Sequence, residues 1–132
     1  MHINNSLIFA VEDDIPYGKL IQYCLVKNGY KNVKVFTHEK KCLDSFKQHP
    51  DILITDYRLK SMDGLKLIQK ARRIYPDFYC ILLTGMPQDE ISRLRISKYC
   101  IDKYIRKDLK SMQELIRILD YYIQSQYVEH YY

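Results

Sequence analysis

Short apolar runs recur along the chain, each followed by a stretch whose apolar residues fall at helical spacing. Leu7-Ile8-Phe9-Ala10-Val11 is the first run, and Glu12-Asp13-Asp14 closes it. Leu20, Ile21, Cys24 and Leu25 then share one helical face. Asp14 is placed to cap that helix, Pro16 suits its first turn, and Asn28-Gly29 ends it. Alternation around Val33 and Val35 predicts a second strand over residues 32–37. A second helix follows over about 38–49, with Cys42, Leu43 and Phe46 facing inward and Pro50 as its stop.

The third strand carries Ile52-Leu53-Ile54 and ends on Asp56. A continuous apolar run between turn signals is the mark of a strand buried on both faces. Helix three is expected over about 65–74, where Tyr75-Pro76 ends it. Strand four spans 78–84 around Ile81-Leu82-Leu83 and finishes on Thr84-Gly85. A weaker helix follows over about 88–98, with Ile91, Leu94 and Ile96 as its apolar residues. Lys103-Tyr104-Ile105-Arg106 is a short fifth strand, ended by Lys107. Helix five starts near Ser111, with Glu114 as a capping-box partner and Leu115, Ile116, Leu119, Tyr122 and Ile123 inward.

Strand and helix thus alternate five times, with neither an internal repeat nor a Pro-, Gly- or Ser-rich linker. Such βα units imply an α/β fold: a parallel sheet, helices on both faces and right-handed crossovers. One five-stranded solution, the flavodoxin-like, doubly wound order 2-1-3-4-5, sets strands one and three side by side at the switch point. Glu12, Asp13 and Asp56 would then be neighbours.

The 132 residues suit one domain. A net charge of +5 spread along the chain suits a mixed-charge exterior better than a nucleic-acid surface, since no nucleic-acid motif accompanies it. Cys24, Cys42, Cys80 and Cys100 form no CxxC pair, and the histidines do not cluster with them, which argues against zinc. Free thiols in a reducing cytosol are the simpler reading. With no long apolar segment and no signal-peptide pattern, the expectation is a soluble cytoplasmic protein.

Three carboxylates brought together repel one another unless a cation intervenes. Mg²⁺ suits a few carboxylates plus phosphate and water. Asp56 is then a candidate nucleophile for phosphoryl groups, because carboxylates form acyl phosphates. Thr84 offers a hydroxyl and Lys107 an ammonium at two further strand ends. Singly, each residue has a simpler reading: an acidic helix start, a turn cap, a strand threonine, a solvated lysine, a strand aromatic at Tyr104. Their coincidence at four strand ends is what favours chemistry.

In these residues the chain resembles the receiver domain of two-component response regulators, over about residues 6–123. The acidic pair of that family matches Glu12 and Asp13, and its phosphoacceptor matches Asp56 in Ile54-Thr55-Asp56-Tyr57. Its Met-x-Gly segment matches Met62-Asp63-Gly64, its hydroxyl residue Thr84, and its aromatic switch and lysine Tyr104 and Lys107. The resemblance implies a single receiver domain over 1–132. Its metal ligands would be Asp13, Asp56 and the Arg58 carbonyl, with Glu12 acting through water and Mg²⁺ (or Mn²⁺) as the ion. The phosphodonor would be a sensor histidine kinase or histidine phosphotransfer protein. Thr84 would move to the phosphoryl group and Tyr104 would turn inward, repacking the helix 4–strand 5–helix 5 face for a downstream protein target. Such a chain is a signalling receiver that catalyses only its own phosphoryl transfer and dephosphorylation.

Three positions depart from the family: Lys60 and Asp108 stand where prolines are common, and Lys103 where a glycine is. The Lys107-Asp108 peptide is therefore expected to be trans. Arg58 and Met86 match positions that tune phosphate lifetime in the family. Asp120 to Tyr132 carries Tyr121, Tyr122, Tyr127, Tyr131 and Tyr132, which either extend helix five and then fray over 124–132 or form a patch for a partner or a homodimer. Neither membrane nor direct nucleic-acid binding is expected of this chain. The alternatives are the receiver portion of a longer DNA-binding regulator, a docking module independent of phosphorylation, and a flavin-binding module, whose phosphate Glu12-Asp13-Asp14 would repel.

Overall fold

A computed structural model describes residues 4–93 and 101–131 of the chain. Five strands, β1 (Ile8–Val11), β2 (Val33–Phe36), β3 (Ile52–Thr55), β4 (Tyr79–Thr84) and β5 (Lys103–Arg106), form one parallel sheet in the order β2-β1-β3-β4-β5. Every residue of β1 and β3 is buried, as a central parallel strand covered on both faces requires. The helices are α1 (Ile15–Lys27), α2 (Glu39–Ser45), α3 (Gly64–Ile74), α4 (Gln88–Arg93) and α5 (Ser111–Tyr131).

Side-chain alternation along the strands divides the core in two. Ile8, Ala10, Ile52, Ile54, Ile81, Leu83 and Ile105 point to one face, where Ile21 and Leu25 of α1 and Leu115, Ile118 and Leu119 of α5 cover them. Phe9, Val11, Leu53 and Cys80 point to the other, against Cys42, Phe46 and the α3 residues Leu67, Ile68 and Ala71. Phe46 meets Phe9 and Phe78 edge to face, at centroid distances of 5.8 and 5.1 Å. Burial pushes the Cys42 thiol up to about 12, so this cysteine is an inert core residue.

Most helix ends lie where the sequence puts them. Asp14 caps α1 by accepting the Tyr17 N–H, and Gly29 takes the left-handed φ of 95° just beyond its end. Two helices differ from expectation. The helix expected over 38–49 stops at Ser45 and tightens into a 3₁₀ turn, Phe46–Gln48. His49 then adopts the left-handed φ of 59° at the end of that turn, and its N–H donates to the Phe46 carbonyl. At α5, Glu114 makes no capping box: its carboxylate takes the Arg117 guanidinium. Asp108 does the capping, accepting the Lys110 N–H on its side chain and the Ser111 hydroxyl on its carbonyl, both at 2.8 Å. The helix expected over 88–98 is described as far as Arg93, and the rest of that expectation, with Leu94 and Ile96, lies outside the described residues. No helix of the described residues is long and apolar enough to cross a membrane.

Candidate functional site

Sheet register brings the charged strand ends together. Val11 pairs with Thr55, so Glu12 and Asp56 each stand one residue beyond adjacent central strands. Thr84 pairs with Arg106, so Lys107 stands one residue beyond β5. The Lys107 N–H donates to the Thr84 carbonyl at 2.8 Å, which fixes the lysine backbone to the end of β4.

Carboxylate oxygens of Glu12, Asp13 and Asp56 lie within 4.8 Å of one another. Lys107 Nζ donates to Glu12 Oε1 and, at 3.0 Å, to Asp56 Oδ2. The other Asp56 oxygen, Oδ1, accepts the Tyr57 N–H at 2.7 Å. Exposure separates the acids: the Glu12 side chain is 2% exposed and that of Asp56 is 12%. Asp56 therefore keeps some contact with solvent and Glu12 almost none. Asp13 is half-buried beside them.

Burial pushes the Glu12 carboxyl above its usual range and outweighs the pull of Lys107 in the other direction. Burial also draws Lys107 toward its neutral form, but its bonds to Glu12 and Asp56 prevail and hold its pKa above the ordinary lysine value. One ammonium faces three carboxylates, so the cluster keeps an excess of negative charge. An all-oxygen donor set of that charge, open to water on one side, fits a hard divalent cation such as Mg²⁺. An ordinary glutamate titrates at 4.5, and Glu12 takes up its proton at a higher pH. Cation affinity should therefore start to decline above pH 4.5 as the solution is acidified. Mg²⁺ titrations followed by thermal stability would measure this, and affinity held constant down to 4.5 would contradict it.

Thr84 ends β4 and is buried, and its Oγ1 accepts the Met86 N–H at 3.3 Å. Tyr104, half-buried in β5, donates its hydroxyl to the Met86 carbonyl at 3.1 Å. Both proposed switch residues thus meet at one peptide segment. Met86 itself is buried, while the Arg58 guanidinium points outward and lies 3.5 Å from Glu90.

Three residues support the site in ways that sequence reasoning did not assign: it named Gly64 and Asp108 without these roles and passed over Glu39. A Cβ on Gly64 would stand 2.2 Å from the Asp56 carbonyl oxygen, so α3 starts hard against the backbone of Asp56. Buried Glu39 accepts the Ser61 N–H at 2.6 Å and the Ser61 hydroxyl, restraining a loop that has Lys60 in place of proline. Asp108, also in a proline position, starts α5, and no peptide bond among the described residues is cis. A glycine after an Asx residue and the Asp-x-x-Ser spacing were visible signals for the first and third. Glu39 reaches Ser61 across 22 residues, which no local pattern encodes.

The sequence matches the response regulator receiver domain family over residues 8–120. It is 26% identical over 113 residues to the phosphate regulon transcriptional regulatory protein PhoB of Klebsiella pneumoniae, covering 84% of this chain and 49% of that protein. It is 27% identical to the transcriptional regulatory protein CreB of Escherichia coli, covering 88% and 50%. The chain therefore spans about half the length of these curated relatives. Its fold is that of a CheY-like receiver domain protein from Methanospirillum hungatei, with a TM-score of 0.82 and 23% identity over 96% of this chain and 99% of that one. Since the match takes in all five strands and the four strand ends described above, the chain belongs to the response regulator receiver domain family.

Proposed function

We propose that this chain is a phosphorylation-dependent signalling switch in which Asp56 accepts a phosphoryl group. The observation that carries the reading is the convergence of Asp56, Glu12 and Asp13 with Lys107 bonded between two of them. Asp13 and Asp56 would hold Mg²⁺ directly, with the Arg58 carbonyl and, through water, Glu12. Bound there, the ion supplies charge neutralisation for the carboxylates and the phosphoryl oxygens. Asp56 carries the bond change: a carboxylate oxygen bonds to phosphorus as the phosphorus–nitrogen bond of a phosphohistidine breaks. The departing imidazole keeps that electron pair and takes a proton from water. Little covalent assistance is needed beyond positioning and charge. Lys107 then pairs with the phosphoryl oxygens, and Thr84 donates its hydroxyl to them.

Movement of Thr84 would release or drag Met86 and with it the Tyr104 hydroxyl. The inward turn of Tyr104 repacks the surface of α4, β5 and α5 and changes which protein binds there. This is a two-state equilibrium biased by new charge-assisted bonds. The donor is a sensor histidine kinase or phosphotransfer protein working with the chain in the cytoplasm. A second reading has one specific support: PhoB and CreB are transcriptional regulators about twice as long as the matched region. The chain would then be the receiver part of a DNA-binding regulator, and the same switch would govern a second domain.

Incubation with acetyl phosphate and Mg²⁺, followed by intact-mass measurement, tests the common core of both readings. One phosphoryl adduct is expected, sensitive to hydroxylamine as an acyl phosphate is, and lost when Mg²⁺ is chelated. A chain that stays unlabelled under these conditions and with a phosphohistidine donor is not a phosphoacceptor.

A further inference from the structure

The ring of Tyr17, in the first turn of α1, lies against the Lys107 ammonium. Lys107 Nζ lies 4.3 Å from the ring centroid, over its face. The Tyr17 hydroxyl lies 3.0 Å from Ser111 Oγ, the first residue of α5. Ser111 gives its own hydroxyl proton to the Asp108 carbonyl at 2.8 Å, so Tyr17 is the donor in that pair. Ser111 is 3% exposed, which makes the anchor a buried one. At the other end the Tyr17 N–H is held by Asp14 at 3.3 Å. The hydroxyl anchors the ring at its tip, the backbone bond holds the residue at the start of α1, and the ring face is turned to the ammonium.

We propose that Tyr17 is a positioning residue for Lys107. Its ring holds the ammonium beside Asp56, and its hydroxyl ties that ring to the start of α5. The proposal rests on the phosphoacceptor reading for its functional consequence, though not for the contact itself. A lysine is a point charge on a flexible four-carbon stem, so its place depends on what surrounds the ammonium. Its carboxylate partners change during the reaction, because Asp56 becomes an acyl phosphate. The tyrosine face does not change. It attracts the cation through its quadrupole and carries no charge to compete with the incoming phosphoryl oxygens. A carboxylate at this position would hold the lysine back, and a small residue would leave it free to swing into water.

Nuclear magnetic resonance of the Lys107 side chain, combined with labelling rates, tests this on the full chain. In the wild type the Lys107 Hε signals should be shifted upfield by the ring. Tyr17→Leu should abolish that shift and slow labelling by acetyl phosphate about three- to ten-fold, the range of a partly buried cation–ring contact. Tyr17→Phe keeps the ring and should recover most of the shift and of the rate. A merely structural role would lower the thermal midpoint in Tyr17→Leu without moving either readout beyond what Tyr17→Phe shows. Ser111→Ala removes the same hydroxyl anchor as Tyr17→Phe while keeping the tyrosine ring, so it should likewise lose a small part of the shift and keep most of it, and it covers the case in which Tyr17→Leu does not fold. Lys107 signals that are alike in wild type and Tyr17→Leu, or unmoved in Ser111→Ala, overturn the proposal. Absence of labelling in the wild type would instead overturn the role of Asp56, and the ring shift would still decide the contact.

Discussion

Asp56→Asn is expected to carry no phosphoryl adduct after treatment with acetyl phosphate and Mg²⁺. The amide matches the carboxylate in shape, so its oxygen can keep the Tyr57 N–H that Asp56 Oδ1 accepts at 2.7 Å. What it loses is the anionic oxygen that would attack phosphorus. Lys107 keeps Glu12 as a partner, which limits the disturbance around it. Glu12 cannot take over the attack, because its side chain is 2% exposed. The loss should therefore be complete while the fold is retained. The cluster also gives up one of its three charges, so Mg²⁺ should raise the thermal midpoint less than in the wild type. Equal labelling of the two proteins would remove Asp56 from its role, and mapping would then have to find the acceptor elsewhere.

Gly64→Ala should produce the largest stability loss of any single methyl addition near the site. The new Cβ would meet the Asp56 carbonyl oxygen at 2.2 Å and the Tyr57 Cα at 3.0 Å. Both are backbone atoms, so no side chain can rotate away. Either α3 shifts outward or the Asp56 peptide does, and each has buried partners: Leu65, Leu67 and Ile68 on one side and β3 on the other. A cost of about 3 kcal/mol is expected, the upper part of the range for forced overpacking. Urea unfolding would measure it, and labelling of the folded fraction should be slow because Asp56 has moved. Gly85 is the internal control. A Cβ there meets nothing within 4 Å, so Gly85→Ala should stay within about 0.5 kcal/mol of the wild type. If the two substitutions cost the same, the close approach at Gly64 is not what demands glycine.

The sheet and the four strand ends were legible because buried parallel strands have an unmistakable composition. Ile8–Val11 and Ile52–Thr55 carry little that water would tolerate, and register alone then sets Glu12 beside Asp56. Edges and caps were less legible. The helix after His38 tightens into a 3₁₀ turn at Phe46, ahead of the stop that Pro50 sets, and no residue in that stretch signals the change. Glu114 looked like a capping partner by spacing, yet Arg117 lies within its reach and Asp108 had already begun the helix. Ile118 was missed from the inward stripe of α5 although it is 5% exposed. No local pattern singles out Tyr17. Its partner Ser111 is 94 residues away, and only the packing of α1 and α5 on the same sheet face brings them together.

Met86 has a consequence for how such a molecule can be watched. Its amide hydrogen rests on the Thr84 hydroxyl, and its carbonyl oxygen receives the Tyr104 hydroxyl. If Thr84 moves as proposed, the Met86 amide loses its acceptor, and the strain falls on a residue whose carbonyl also holds Tyr104. The exchange of that single amide with deuterated solvent would then report the proposed switch, with no dye or partner attached.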